Sequence, residues 1–198
     1  IMAADEVLAA ESQQPLLQEA HGFAAMEANG PLVPMSYQLR ARDDEVVVEV
    51  ECCGICGSDL HMLANDWGFL KFPLVAGHEI IGKVVHIGAR VRTIKVGDRV
   101  GVGHLSRTCE SCRYCLAGDD SLCVEPTPTA QTPHHGGFGS HVVALAKWAF
   151  PIPETLPSHE TAPLLCGGVT VFSPLIAYGV KPGDRVGVIG LGGLGVRR

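Results

Sequence analysis

Charge and aromaticity are both scarce in this 198-residue chain: 18% of its residues are charged, 6% are aromatic, and residues 1–20 hold no lysine or arginine. The basic start and apolar run of a secretory signal are therefore missing, and a reducing cytoplasm is the expected compartment. A low charge fraction beside 46% hydrophobic residues excludes a wholly disordered chain. The formal charge of −6 leaves no broad basic footprint, so nucleic acid is not an expected partner. An unbroken apolar run of about 20 residues is also lacking. The charge-free stretch 162–180 is interrupted by Pro163, Gly167, Gly168, Thr170, Ser173 and Pro174. It reads as a buried helix with its neighbours, and no membrane span is expected. Eight cysteines fall well short of the roughly 8–10% of a short disulfide scaffold.

What is present is unevenly distributed. Asp5, Glu6, Glu11 and Glu19 concentrate acid in residues 1–20, an extension expected to be poorly ordered, while the rest is nearly neutral. Glu45-Val46-Val47-Val48-Glu49-Val50-Glu51 reads as a half-buried strand, Ile80 to Val102 as short strands and turns, and Ser140 to Leu145 as a further strand. From about Ser158 to Tyr178 the pattern is helical, closed by Gly179. Arg185-Val186-Gly187-Val188-Ile189 is a buried-strand candidate. Gly190, Gly192, Gly193 and Gly195 follow it in a Gly-x-Gly-x-x-Gly string that can admit a pyrophosphate to a helix N-terminus.

Cys109, Cys112, Cys115 and Cys123 lie in one loop-like stretch. Four thiolates so spaced can wrap a tetrahedral zinc ion completely, which makes a structural site and couples metal binding to local folding. A ferredoxin run also begins Cys-x2-Cys-x2-Cys, but there the next spacing is three and a proline follows. Here seven residues intervene and Val124 follows, so zinc is preferred to a cluster, disulfides or free thiols.

Three dispersed segments also carry chemistry: Cys56-Gly57-Ser58-Asp59-Leu60-His61, Gly77-His78-Glu79 and Leu165-Cys166-Gly167. A lone cysteine is often only a small buried hydrophobe. Together with the four-cysteine loop and the glycine string, however, the segments resemble the zinc-dependent alcohol dehydrogenases of the medium-chain dehydrogenase/reductase superfamily. The cinnamyl-alcohol-dehydrogenase-like branch is the most similar, over about His21 to Gly195.

The resemblance implies a mainly β fold with helices: a GroES-like catalytic domain, built as a partly open β-barrel, over residues 21–157. A linking helical region at 158–180 would carry the third ligand, and 181–198 would be the first strand and glycine turn of a Rossmann domain. It implies two zinc ions per chain, a catalytic one on Cys56, His78 and Cys166 and a structural one on the four-cysteine loop. Two thiolates and a neutral imidazole cancel the metal's charge and leave a fourth position for water or an alcohol oxygen. Asp59 and Glu79 would support those ligands, Ser58 would take the alcohol proton and His61 would pass it to the surface, and Trp67 and Phe69 would wall the substrate pocket. The implied activity is interconversion of primary alcohols and aldehydes with NADP or NAD, and a full-length relative would be a homodimer.

His86, His104, His134, His135 and His141 have no ligand spacing of note, and Cys53 is expected to pack behind the site. Gly57 and Ala76 depart from the residues usual in the family, and Gly57 bears on the branch assignment and on one pyrophosphate contact. The chain stops at Arg198, three residues after the glycine string. From that ending follow the expectations of no turnover by the chain as it stands and of an unpaired strand at 185–189. The alternative is a non-catalytic zinc-binding fragment that associates with a partner or an intact homologue.

Overall fold

The computed structural model describes residues 18–131 and 135–197. The extension expected over residues 1–20 lies outside the described residues up to residue 17, and so does His134. Strand β1 (Gln18–Ala25) occupies the end of that stretch and pairs antiparallel with β2 (Leu32–Leu39), with Gly22 opposite Met35. The turn between them contains Asn29-Gly30, and Asn29 takes a left-handed φ of 59°, as hairpin turns favour.

The main sheet is built around β3 (Glu45–Cys53), whose Val46, Val47 and Val48 are buried on its two faces. Val46 and Val48 join Ile80, Val84, Val100 and Val102 in one cluster. Val47 points the other way, onto Ala20, Ala24, Tyr37 and Leu39 of the hairpin. This is the two-residue period of a pleated strand covered from both sides. β3 pairs with β4 (Ile80–Ile87), β4 with β5 (Arg99–Val102), and the order across the sheet is β8-β3-β4-β5-β9 with every pair antiparallel. Here β8 is His141–Leu145 and β9 is Ala149–Pro151. Register shifts at Val47/Val48 and Val50/Cys52 bend β3. The sheet curls into a half-barrel whose two edges, β8 and β9, do not pair with each other.

Between β5 and β8 a ribbon of β6 (Leu105–Arg107) and β7 (Thr127–Pro128) carries an arm. The root of that arm is pinned to the barrel by buried Glu45, which receives the Arg107 guanidinium. Helix α1 (Gly57–Ala64) follows β3, and α2 (Arg113–Ala117) lies within the arm.

Three expectations are corrected beyond residue 157. The helical stretch is not one helix but α3 (Ser158–Thr161), a 3-10 turn over Ala162–Leu165, and α4 (Gly167–Ala177). The break falls at Cys166 (φ −123°, ψ −76°), three residues after Pro163, and the axis bends there by 51°. Nor is α4 buried, since Phe172 and Ile176 are both more than half exposed, as is Tyr178 just after it. No single helix among the described residues is long and apolar enough to cross a membrane; only the bent pair passes on length and composition. The strand expected over residues 185–189 is not formed, and Ile189 is fully exposed. A strand exists through bonding to a neighbour, and no described strand reaches this segment.

Candidate functional site

The arm is shaped by its cysteines. Cys112 caps α2, its sulfur accepting from the Cys115 N–H at 3.5 Å, and Gly118 (φ 84°) ends the helix. A 3-10 turn over Asp120–Leu122 then delivers buried Cys123. The four sulfurs lie within 4.8 Å of one another, with Cys109–Cys115 at 3.9 Å and Cys112–Cys115 at 3.6 Å. Two 2.3 Å bonds at a tetrahedral angle separate two sulfurs by about 3.8 Å, whereas a disulfide brings them to about 2.05 Å. The donor set therefore fits a single tetrahedral ion such as zinc.

The electrostatics agree. N–H groups of Ser111 and Cys112 pull the Cys109 thiol down to about 6, and N–H groups of Cys115 and Val124 lower Cys112. Burial and the neighbouring thiols Cys112 and Cys123 push Cys115 up to about 12. The backbone N–H groups thus favour the thiolate at Cys109 and Cys112, while burial and crowding disfavour it at Cys115.

The second cluster draws on three distant segments. Cys56 is the N-cap of α1, accepting the Ser58 N–H at 3.5 Å, while the Asp59 carboxylate returns a bond to the Cys56 N–H at 2.9 Å. This is a capping box with a thiol in the hydroxyl's place. His78 sits just before β4 on a segment held by backbone bonds to Ala25, Gly136, Gly137 and Phe138. Gly77 has a φ of 99°, and a Cβ there would sit 2.8 Å from the Phe138 nitrogen, so only glycine suits the position. Cys166 stands at the break between the 3-10 turn and α4.

Ligand atoms of Cys56, His78, Glu79 and Cys166 lie within 4.8 Å of one another, and the two sulfurs are 3.8 Å apart. The separation again matches a tetrahedral ion. Asp59, 1% exposed, ties the segments together: one carboxylate oxygen accepts from the Gly77 N–H at 3.0 Å and from His78 Nδ1 at 2.9 Å. A proton on Nδ1 leaves the Nε2 lone pair free for a metal. Burial pushes His78 down, but the bonds to Asp59 and Cys166 outweigh it and raise it to about 11. Burial pushes Cys56 up, yet the Ser58 N–H and hydroxyl bring it below the usual thiol range.

The other expected site residues divide into three groups. Ser58 is half-buried in the first turn of α1, beside Cys56. His61, Trp67 and Phe69 form a separate exposed group. The Trp67 and Phe69 rings stack at 6.1 Å, His61 lies 6.0 Å from Trp67, and His61 Nδ1 is 2.7 Å from the Asp66 carboxylate. Gly190, Gly192, Gly193 and Gly195 line a cleft of about 940 Å³ with Val171 and Leu175 of α4.

Two features escaped the sequence reading. Glu79, expected only to support the ligands, brings a carboxylate oxygen within the donor group itself, as its adjacency to His78 could have suggested. His104, expected to be background, is held below the usual histidine range by burial and by the charge of His78. Cys53 lies against Gly77 and Gly137, behind the site as expected.

The family model described as the alcohol dehydrogenase GroES-like domain matches residues 42–154. Cinnamyl alcohol dehydrogenase 7 of Arabidopsis thaliana is 44% identical over 188 residues, covering 91% of this chain and 53% of the relative. Among solved structures, a cinnamyl alcohol dehydrogenase of Sorghum bicolor matches with a TM-score of 0.85 at 40% identity, covering 91% of this chain and 54% of the other. The CAD from Helicobacter pylori, complexed with NADP(H), matches with a TM-score of 0.84 at 31% identity over 90% and 54% of the two chains. The chain thus spans about half the length of the curated relatives it matches.

Proposed function

Since this chain belongs to the alcohol dehydrogenase GroES-like domain family, we propose that it carries the metal centres of an enzyme interconverting primary alcohols and aldehydes with NADP or NAD. The observation that carries the proposal is the convergence of Cys56, His78 and Cys166 at tetrahedral spacing around the Asp59 carboxylate. A zinc ion held by these three residues supplies Lewis acidity, which lowers the pKa of an alcohol oxygen or polarises an aldehyde carbonyl.

The residues around that position have separate tasks. Asp59 fixes the His78 tautomer and holds the Cys56 turn against it. Ser58 takes the proton of the substrate hydroxyl, and His61, on the exposed side of α1, exchanges it with water. Trp67 and Phe69 offer a stacked aromatic rim, which suits aromatic or medium-chain substrates. Glu79 places a carboxylate oxygen beside the two sulfurs and the imidazole as a fourth donor atom. The glycine string receives the cofactor's pyrophosphate, and the NADP(H) complex of the Helicobacter pylori relative favours NADP. The four-cysteine arm is assigned a structural zinc. We divide the chain near residues 157 and 158 and assign it to the cytoplasm, where a reducing environment keeps its eight free cysteines available as ligands.

Metal analysis tests the proposal. Two zinc ions per chain are expected, one of them readily exchanged for cobalt. The cobalt spectrum of that site should shift on addition of benzyl alcohol and be lost in Cys166→Ser. One metal or none per chain, or a spectrum indifferent to the alcohol, would overturn the reading.

A further inference from the structure

Local backbone bonds hold Cys166 firmly only on its carbonyl side, where it accepts from the Thr170 N–H at 2.9 Å. It stands at a break, its N–H reaches the Pro163 carbonyl only at 3.4 Å, and the helix beyond exposes Val169, Phe172 and Ile176. Its position is set from the barrel side. Arg99 of β5 is 8% exposed, and its guanidinium gathers the chain that leads to Cys166. Nη1 donates to the Pro153 carbonyl at 2.8 Å, and Nη2 donates to the Leu156 carbonyl at 2.8 Å and to Ser158 Oγ at 2.7 Å. Ser158 Oγ in turn donates to Glu51 of β3 at 2.8 Å, and Arg99 Nε lies 3.7 Å from the same carboxylate.

Residues two apart on a strand share a face. Two positions along β5, a Cβ on Gly101 would sit 2.7 Å from Leu165 Cδ1, and one on Gly103, just past the end of the strand, would sit 3.2 Å from the Leu165 carbonyl oxygen. Arg99 and Gly101 on one face of β5, with Gly103 just beyond it, therefore seat the segment at both ends, at residues 153–158 through the guanidinium and at Leu165 through direct contact.

We propose that Arg99 is the positioning residue for Cys166, fixing through Pro153, Leu156 and Ser158 the approach of the third donor to Cys56 and His78. The planar fork is essential, because three acceptors in fixed directions are matched by a guanidinium and not by an ammonium. Metal–ligand distances tolerate only about 0.2 Å, so a loosened seat weakens the centre even where the fold survives. The inference rests on the metal centre proposed above, and a wild-type chain that binds fewer than two cobalt ions would sink that reading independently.

The test is cobalt titration of the 198-residue chain, with the four-cysteine site as internal reference. In Arg99→Met and Arg99→Lys alike, the affinity of the Cys56–His78–Cys166 site should fall roughly 10- to 100-fold, with weakened thiolate-to-cobalt absorption, while the four-cysteine site is unchanged. If neither variant folds, Ser158→Ala combined with Glu51→Gln removes the outer half of the clasp and should produce a smaller loss in the same direction. Unchanged affinity at the three-residue site, full rescue by lysine, or equal loss at both sites would overturn the proposal.

Discussion

At the scale of single residues, Asp59 does the most with the fewest atoms. Its two oxygens accept from the Cys56 N–H, the Gly77 N–H and His78 Nδ1, so one buried carboxylate binds a helix N-terminus to a segment 18 residues away. Asp59→Asn replaces one acceptor with an amide that faces N–H donors and removes the charge that orients the imidazole. It should destabilise the fold by about 1–3 kcal/mol, measurable by chemical unfolding, and weaken metal binding at this centre roughly 10- to 100-fold. The residues that converge were legible in the sequence, because Cys56, His78, Cys166 and the four clustered cysteines sit in recognisable local strings. What the strings could not show is distance: the approach of Glu79 into the donor group and the influence of His78 on His104 arise only once β4 and the arm are packed.

Among the elements, the four-cysteine arm has little support from apolar packing, since α2 buries no residue. Lys147, just after β8, bridges both halves of it, 2.7 Å from Asp120 and 3.6 Å from Glu110, and the Trp148 indole N–H reaches Thr108 at 3.4 Å. Lys147→Met should therefore speed zinc release from the arm several-fold, as followed with a chromogenic chelator. The carboxylates and the ammonium are partly exposed, so the difference from wild type should shrink at molar salt. A variant that releases zinc at the wild-type rate at low salt would show that the thiolates alone hold the arm. Periodicity correctly marked the helical character of residues 158–178, yet it gave one element where there are three. Helical spacing survives on both sides of Cys166, so the 51° bend leaves the periodicity intact, and the contact of Leu165 with β5 has no local signature.

Across the whole molecule, the valine-rich strands announced the curled sheet, whereas the β1–β2 hairpin went unread although Asn29-Gly30 offered a turn signal. That hairpin is joined to the main sheet partly through Tyr37, whose hydroxyl donates to the His141 carbonyl at 2.8 Å from a site only 7% exposed. Burial pushes the phenol up to about 12 from an ordinary value of 10. Between those values the folded chain holds a proton that the unfolded chain has released, so stability falls as pH rises. The contribution is fully present below about pH 10 and lost through about pH 12, and two units correspond to about 2.7 kcal/mol. Cys53, which burial also raises to about 12, adds a loss that begins nearer its ordinary value of 9. Tyr37→Phe should cost about 1 kcal/mol near neutrality through the missing hydrogen bond and should flatten the alkaline slope without abolishing it. Urea unfolding at about pH 8 and about pH 11 separates the two effects. If the variant lost stability with pH as steeply as the wild type, Tyr37 would have no part in the alkaline unfolding of the barrel, and the loss would have to come from Cys53 and the other thiols.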